Sequence, residues 1–171
     1  MFAPDAKFDL AVKFSRFDDE HMLATSLRGL FLDDEQWLSA EHYLGVMLAG
    51  TPGLAEKVRG ATTAQAAHKV VKPWYRSKKA GWKNLRRVYM TRALFTLVQM
   101  YPEVKTYLLE TGDRLIAETS LYDHYWGVGR DQRGENMLGR VWMDIRQKLR
   151  DDTAAEPTCG GNKKVAEAGY E

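Results

Sequence analysis

The segment from Lys79 to Tyr101 constrains the fold of this chain more than any other. Apolar residues recur there at steps of three and four positions, which places them on one face of a helix: Trp82, Leu85, Tyr89, Ala93, Leu97 and Met100. The pattern predicts one long amphipathic helix. Pro102 then opens a shorter helix that Gly112 ends, since proline suits the first helical turn and glycine suits the position after the last.

The rest of the chain alternates between short strand-like and helical segments. Residues 8–15, 27–37 and 114–120 have the apolar content of short strands, and polar turn residues lie in "LDDEQW". Helices are predicted from Ser39 to Gly50, over 52–60, over 62–72, and after Asn136, a candidate helix cap. We therefore predict the fold class α+β: a mainly helical single domain with a small β-sheet over residues 1–150. Residues 151–171 are polar and rich in glycine, which predicts a disordered C-terminal tail.

The composition narrows the class of protein. A length of 171 residues and a net charge of +2 fit one globular domain, and the charge alone does not indicate nucleic acid. Cys159 is the only cysteine, which fits a reducing cytoplasm. The spacing of the four histidines does not match a metal motif, and no apolar stretch is long enough to span a membrane. The expectation is a cytoplasmic protein without a metal site or a cofactor.

Two segments are candidates for function. The stretch "SLYDHYWGVGRDQRGENMLGR" (120–140) combines glycines, aromatic rings and charges, and long irregular connections are usually functional. Asp123 and Trp126 are three positions apart, so a turn would bring both to one pocket. The alternative is structural: Trp126 as a core plug and Asp123 as a turn-forming carboxylate.

The basic run "KPWYRSKKAGWKNLRR" (72–87) is either a nucleic-acid patch or a solvated helix entry.

Several motifs occur in an order that resembles a known family. They are "WLSAEHY" (37–43), "LLETGDRLIAETS" (108–120), "ETSLYDHYWGVG" (118–129) and "GENMLGRVWMDIRQKL" (134–149), with Trp82 at an internal tryptophan position. The combined spacing is similar to that of the NADAR superfamily, also called YbiA-like. The resemblance covers roughly residues 30–150.

The resemblance implies an N-glycosidase or an ADP-ribose-binding fold. Some members of the family resemble hydrolases of ribosylamino intermediates in riboflavin synthesis, and others look like glycohydrolases that remove ADP-ribose from modified guanine bases. Both reactions break the C1–N bond of a ribose, which calls for carboxylates, an acid for the leaving nitrogen and an aromatic wall. On this basis the catalytic candidates are Glu41, Glu118 and Asp123, and the substrate-binding candidates are His42, Trp82, Trp126, Gly127 and Gly129.

Each candidate also has a local structural explanation. Glu41 lies in a first helical turn, where a carboxylate is stabilised by the helix dipole. His42 more often anchors a helix by a hydrogen bond, and Trp82 fits the first core position of its helix. The glycines are expected to let the loop close over a phosphate-bearing sugar. If the family mechanism holds, Glu41, Glu118, Asp123, Trp82 and Trp126 converge on one pocket.

One departure from the family pattern bears on the mechanism. Members usually carry a lysine five residues past the tyrosine of E-H-Y, where this chain has Leu48. That lysine is a natural candidate for a Schiff base with ring-opened ribose. Here Lys57, Lys69 or Lys72 would have to replace it, or water would attack with Glu41 as the base, or the chain would bind ADP-ribose without cleaving it.

Three functions therefore compete. The leading one is an ADP-ribosyl glycohydrolase acting on a modified guanine base, with ADP-ribosylated nucleic acid as a partner, and the basic run at 72–87 favours it. The second is an N-glycosidase of a ribosylamino riboflavin intermediate. The third is an ADP-ribose-binding module without activity, which Leu48 favours. A basic rim on the pocket would favour the first, a small closed pocket the second, and a pocket without carboxylates the third.

Overall fold

The computed structural model describes residues 8–73 and 75–155. Within them the chain forms six α-helices and four short strands, so the α+β, mainly helical fold class is confirmed. The helices are α1 Ala40–Leu48, α2 Pro52–Arg59, α3 Ala64–Val71, α4 Trp82–Met100, α5 Pro102–Glu110 and α6 Met137–Ala155. The strands are β1 Val12–Phe14, β2 Leu30–Leu32, β3 Glu35–Trp37 and β4 Ile116–Glu118.

The strands form two separate pairs rather than one sheet. β1 and β4 run parallel, with Val12 opposite Ile116, and β2 and β3 form an antiparallel hairpin. The hairpin turns at Asp33 and Asp34, whose φ angles of 54° and 60° match the two-residue turn that suits the twist of paired strands. The predicted strand segments are longer than the observed ones because only three residues of each strand find a partner.

Helix starts follow the local sequence as predicted. The Ser39 hydroxyl accepts the N–H of His42 at the start of α1, Thr51 and Pro52 open α2, and Thr63 opens α3. These caps fix where α1 begins and therefore where Glu41 lies.

The two long helices pack around the core. Buried residues of α4 include Met90, Leu94 and Leu97, while Met100, predicted on the buried face, is 41% exposed. Its sulfur lies in the last turn beside the hairpin, where it accepts the N–H of Phe31. The predicted stripe of α6 is buried throughout: Leu138, Val141, Trp142, Ile145 and Leu149.

Two predictions about α6 are wrong. Asn136 does not cap the helix with its side chain: Oδ1 accepts the N–H of Glu118 and Nδ2 donates to the carbonyl of Ile116, so the amide completes the free edge of β4. The helix also continues through Ala155, past the predicted tail boundary at Asp151, with Lys148 and Asp152 paired across one turn. The rest of the predicted tail, 156–171, lies outside the described residues.

No helix among the described residues is long and apolar enough to cross a membrane.

Candidate active site

A cavity of about 340 Å³ lies where α1, α3, α4 and the loop after β4 meet. We call it the central cavity. Carboxylates of Glu41 and Asp123 line it, and so do the rings of Trp82, Tyr125 and Trp126. Four of the five residues expected to converge therefore do so, from three different segments of the chain. The fifth, Glu118, lies outside the lining.

Glu41 projects from the first turn of α1 and is 1% exposed. Its Oε1 accepts a hydrogen bond from the buried hydroxyl of Thr25 at 3.0 Å. Its Oε2 lies 3.7 Å from Nδ1 of His68. A buried carboxylate is costly unless its charge is balanced, so the neighbouring cation matters.

That cation is Arg16, which the sequence analysis missed. It lies two residues after the end of β1, is buried, and approaches Glu41 at 3.9 Å and Asp123 at 3.2 Å. Its Nε and Nη1 have no hydrogen-bond partner among the described residues. Unpaired buried donors destabilise a fold, so Arg16 is better explained by the charge it brings to the two carboxylates. The available signal was an arginine flanked by Phe14 and Phe17 in an apolar segment.

Asp123 combines the structural and functional interpretations. Its Oδ1 accepts the backbone N–H groups of Tyr125 and Trp126, at 3.1 and 2.8 Å, which makes it a turn-forming carboxylate. Its Oδ2 faces Arg16. The turn orients Trp126, which is 5% exposed yet lines the central cavity, with its ring edge-on to that of Tyr125.

His68 of α3 is a second residue that the sequence analysis missed. Burial, together with the positive charges of Arg16 and Lys72, lowers the pKa of His68 to about 3. Nη2 of Arg16 lies 3.0 Å from its Nε2 and 3.2 Å from its Nδ1, and a guanidinium can only donate, so the ring nitrogen that accepts this hydrogen bond carries no proton. His68 is thus a neutral imidazole beside Glu41 at neutral pH.

Cations surround the aromatic walls of the central cavity. The guanidinium of Arg86 stacks over Tyr125, and the amine of Lys78 lies 5.1 Å from the centre of the Trp82 ring. Lys78 also donates to the carbonyl of Pro73 at 3.1 Å. Because both cations line the cavity, its aromatic face can also attract an anionic group.

Only some of the candidate lysines line the central cavity. Lys72 lines the central cavity, whereas Lys57 and Lys69 do not. Lys78, which was not among the candidates, lines it beside Leu48, because its segment pairs with the end of α1. Burial lowers the pKa of Lys78 from its ordinary value. Leu48 stands where the resemblance implies a lysine, and Lys72 and Lys78 still bring amines to the central cavity.

The other predicted site residues lie behind the lining. Glu118 is fully buried and accepts the N–H groups of Arg16 and Ser120 as well as the Ser120 hydroxyl. His42 contacts the Ser39 hydroxyl and the Ala61 carbonyl, at 2.7 and 3.0 Å, in the geometry of an anchor.

The two predicted glycines are packed inside the loop. A Cβ on Gly127 would collide with the carboxylate of Glu118, and one on Gly129, whose φ is +70°, would meet the His124 ring. The loop is tied to itself and to α6 by backbone hydrogen bonds, including Val128 N–H to Glu118 and Gly134 N–H to Val128. Direct substrate contact by Gly127, Gly129, His42 or Glu118 stays a prediction.

The fold and the site define a small α+β domain whose central cavity has aromatic walls and two carboxylates, the buried Glu41 and the partly exposed Asp123. The chain belongs to the NADAR domain family, whose model matches residues 6–150, so the resemblance seen in the motifs is confirmed. The NMR structure of the Escherichia coli protein YbiA superposes with a TM-score of 0.75 at 22% identity, covering 90% of this chain and 96% of that one.

Curated relatives carry two kinds of name. An N-glycosidase of Nostoc punctiforme is 27% identical over 129 residues, 74% of this chain and 83% of the relative. The N-glycosidase YbiA of Escherichia coli is 25% identical over 118 residues, 69% and 74% of the two chains. The chloroplastic riboflavin biosynthesis protein PYRR of Arabidopsis thaliana is 30% identical over 115 residues, which is 65% of this chain and 19% of the much longer relative.

Proposed function

We propose that this protein is an N-glycosidase that hydrolyses the C1–N bond of a ribose. The observation that carries the proposal is the placement of two carboxylates, Glu41 and Asp123, against the one guanidinium of Arg16 beside an aromatic-walled cavity. Glycosidic cleavage develops positive charge on the sugar, and nearby carboxylates stabilise that charge. The names of the Nostoc and Escherichia relatives support the same class of reaction.

The two carboxylates have different roles in the proposed reaction. Asp123 lies at the loop that carries Trp126, so it faces the ribose while the aromatic rings hold the base. Glu41 takes a proton from water as the water oxygen attacks C1. The C1–N bond breaks, and the proton passes to the leaving nitrogen. His68 is neutral above a pH of about 3, so it does not supply that proton as an imidazolium at neutral pH.

Arg16 has a positioning role in this mechanism. It holds two negative groups close together, and without it they would repel each other in a buried site. Glu118 acts indirectly, since it lies outside the cavity lining. Its carboxylate accepts the backbone N–H of Arg16 and so fixes the position of the arginine backbone after β1.

Among ribosyl substrates, we infer that the preferred one is ADP-ribose attached to a guanine base. The cations that line the central cavity, Lys72, Lys78 and Arg86, give it the basic rim expected for a substrate with a diphosphate. The carboxylates in its lining disfavour the binding module without activity.

A second candidate substrate is a ribosylamino intermediate of riboflavin synthesis. The specific observation in its favour is that relatives from Arabidopsis thaliana and Vibrio vulnificus, each 30% identical over 115 residues, are named as riboflavin biosynthesis proteins. This substrate has the same C1–N bond and one phosphate instead of a diphosphate arm.

The test is direct. Purified protein is incubated with DNA carrying ADP-ribosylated guanine and, separately, with the ribosylamino flavin precursor, and release of ADP-ribose or ribose phosphate is followed. We expect release of ADP-ribose at the higher kcat/KM. Release of ribose phosphate alone would assign the second substrate, and no release from either would contradict the proposed activity.

A further inference from the structure

A second cavity of about 330 Å³ adjoins the central cavity on the far side of His68 and Asp123. Six residues line it and do not line the central cavity: Arg16, Phe17, Gln65, Lys69, Ser120 and Leu121. We call it the Lys69 groove. The two cavities share His68, Lys72, Tyr122 and Asp123 in their walls, so they adjoin at Asp123, while Glu41 lines the central cavity only.

We propose that the Lys69 groove binds the nucleoside diphosphate arm of the substrate, while the central cavity binds the leaving base and the ribose lies at the junction. The identity of the substrate rests on the proposed function. The groove as a nucleoside diphosphate site rests on its own lining.

The charges of the groove favour an anion. Arg16, Lys69 and Lys72 line it, and neither lysine is in an ion pair with another described residue. Asp123 is the only carboxylate among its described lining residues, and Arg16 already balances that charge. An excess of unpaired ammonium groups in a concave site attracts phosphate.

The different walls of the two cavities indicate which end of the substrate each cavity binds. The central cavity has indole and phenol walls on which a flat base can stack. The Lys69 groove has the Phe17 ring at one side, 5.5 Å from the ring of His68, and polar groups around it. This combination fits phosphates with a nucleoside at their end.

Size supports a ligand that uses both cavities. Sites that enclose a small-molecule ligand measure about 300–1,000 Å³. At about 340 Å³ the central cavity lies at the low end of that range. A base, a ribose and a diphosphate arm form an elongated ligand, and the adjoining groove supplies the missing length.

The first test uses ADP itself, without turnover. In an amide-resolved NMR titration, ADP is expected to shift the signals of Gln65, Lys69 and Ser120 and to leave those of Leu48 and Trp82 in place. Shifts confined to the central cavity, or no binding at millimolar ADP, would overturn the assignment of the groove.

The second test is a charge reversal with a matched control. Lys69→Glu is expected to weaken ADP binding by roughly tenfold or more, since a charge-assisted hydrogen bond to phosphate is replaced by repulsion. Lys105→Glu, on α5 and outside both cavities, should change it by less than about twofold. Equal affinities in the parent protein and Lys69→Glu would contradict the proposal.

Comparing substrates separates this inference from the proposed function. Lys69→Glu is expected to leave kcat near the parent value and to raise KM more for the ADP-ribosylated substrate than for the single-phosphate substrate, which places fewer charges in the groove. ADP binding in the groove without hydrolysis of either substrate would support the groove and contradict the activity. Hydrolysis that is insensitive to Lys69→Glu would support the proposed activity and contradict the assignment of the groove.

Discussion

The guanidinium of Arg16 lies 3.2 Å from the carboxylate of Asp123, and this contact joins the end of β1 to the loop after β4. The same guanidinium faces Glu41, and both carboxylates line the central cavity. Removing one member of a buried ion pair leaves an uncompensated charge, which costs about 3–5 kcal/mol. We expect Arg16→Met to lower the free energy of unfolding by roughly 3 kcal/mol in urea denaturation.

A double-mutant cycle checks the cause of that loss. If Arg16 balances the charge of Glu41, then Arg16→Met combined with Glu41→Gln should lose less stability than the sum of the two single changes. Strictly additive losses would show that the two side chains contribute independently.

Glu41→Gln is expected to reduce turnover on the order of 10²–10⁴-fold, the usual cost of losing a positioned acid or base. The fold should persist, because the amide oxygen can still accept the hydrogen bond of Thr25. Steady-state kinetics and circular dichroism give the two readings. Glu56→Gln, whose side chain is 74% exposed, is the matched control. Activity of Glu41→Gln within about threefold of the parent would show that Glu41 stabilises the start of α1 through the helix dipole and is not catalytic.

Local signals explain which parts of this site were predictable. Ser39 and the residues after it read as a helix start, and that start alone places Glu41 in the first turn of α1. The turn formed by Asp123 and Trp126 is equally local, since its hydrogen bonds span two or three residues. Such features depend on neighbours in the sequence, so spacing reveals them.

Features built by distant contacts were missed or misassigned. Arg16 is explained only by Glu41 and Asp123, which lie on other elements. Asn136 reads as a helix cap, but tertiary packing turns its amide toward β4. Lys78 enters the central cavity only because its segment pairs with Ala49. No period or propensity in a single sequence encodes these contacts.

Gly127 provides a test of packing in the loop. Gly127→Ala should destabilise the protein by about 1–3 kcal/mol, because the new methyl group overlaps the buried carboxylate of Glu118. Gly53→Ala is the matched control, since a Cβ there meets no heavy atom within 4 Å in α2 and alanine favours a helix. Thermal unfolding distinguishes the two variants. Unchanged stability with a raised KM in Gly127→Ala would instead support direct contact of this glycine with substrate.

His68 makes stability depend on pH in a defined window. Its pKa falls from 6.5 in the unfolded chain to about 3 in the fold, so below pH 6.5 the unfolded state binds the proton more readily. The contribution of the neutral ring is complete above pH 6.5 and is lost as the pH falls toward 3, by up to about 4 kcal/mol. We expect the urea midpoint of the parent protein to fall more steeply from pH 6.5 to 4 than that of His68→Gln. Parallel pH profiles would contradict this role. Burial also lowers the pKa of His21, and this contribution is common to both proteins.

The last prediction concerns the nucleophile, because Leu48 stands where the family resemblance implies a lysine. Lys78 is the amine to examine, because it lines the central cavity beside Leu48 and burial lowers its pKa. Its ammonium nevertheless donates to the carbonyl of Pro73 and lies over the Trp82 ring, and both contacts favour the protonated form, which is not a nucleophile. We therefore expect water to be the nucleophile, so that borohydride added during turnover adds no ribosyl mass to the protein.

Lys78→Arg keeps the positive charge and should retain kcat within a few-fold, whereas an essential amine would make this variant inactive. Mass spectrometry of the reduced reaction reads the outcome, with peptides containing Lys57, Lys69 and Lys72 compared in the same digest. A ribosyl adduct on Lys78 that forms at the rate of turnover would replace the water mechanism with a Schiff base at a relocated lysine.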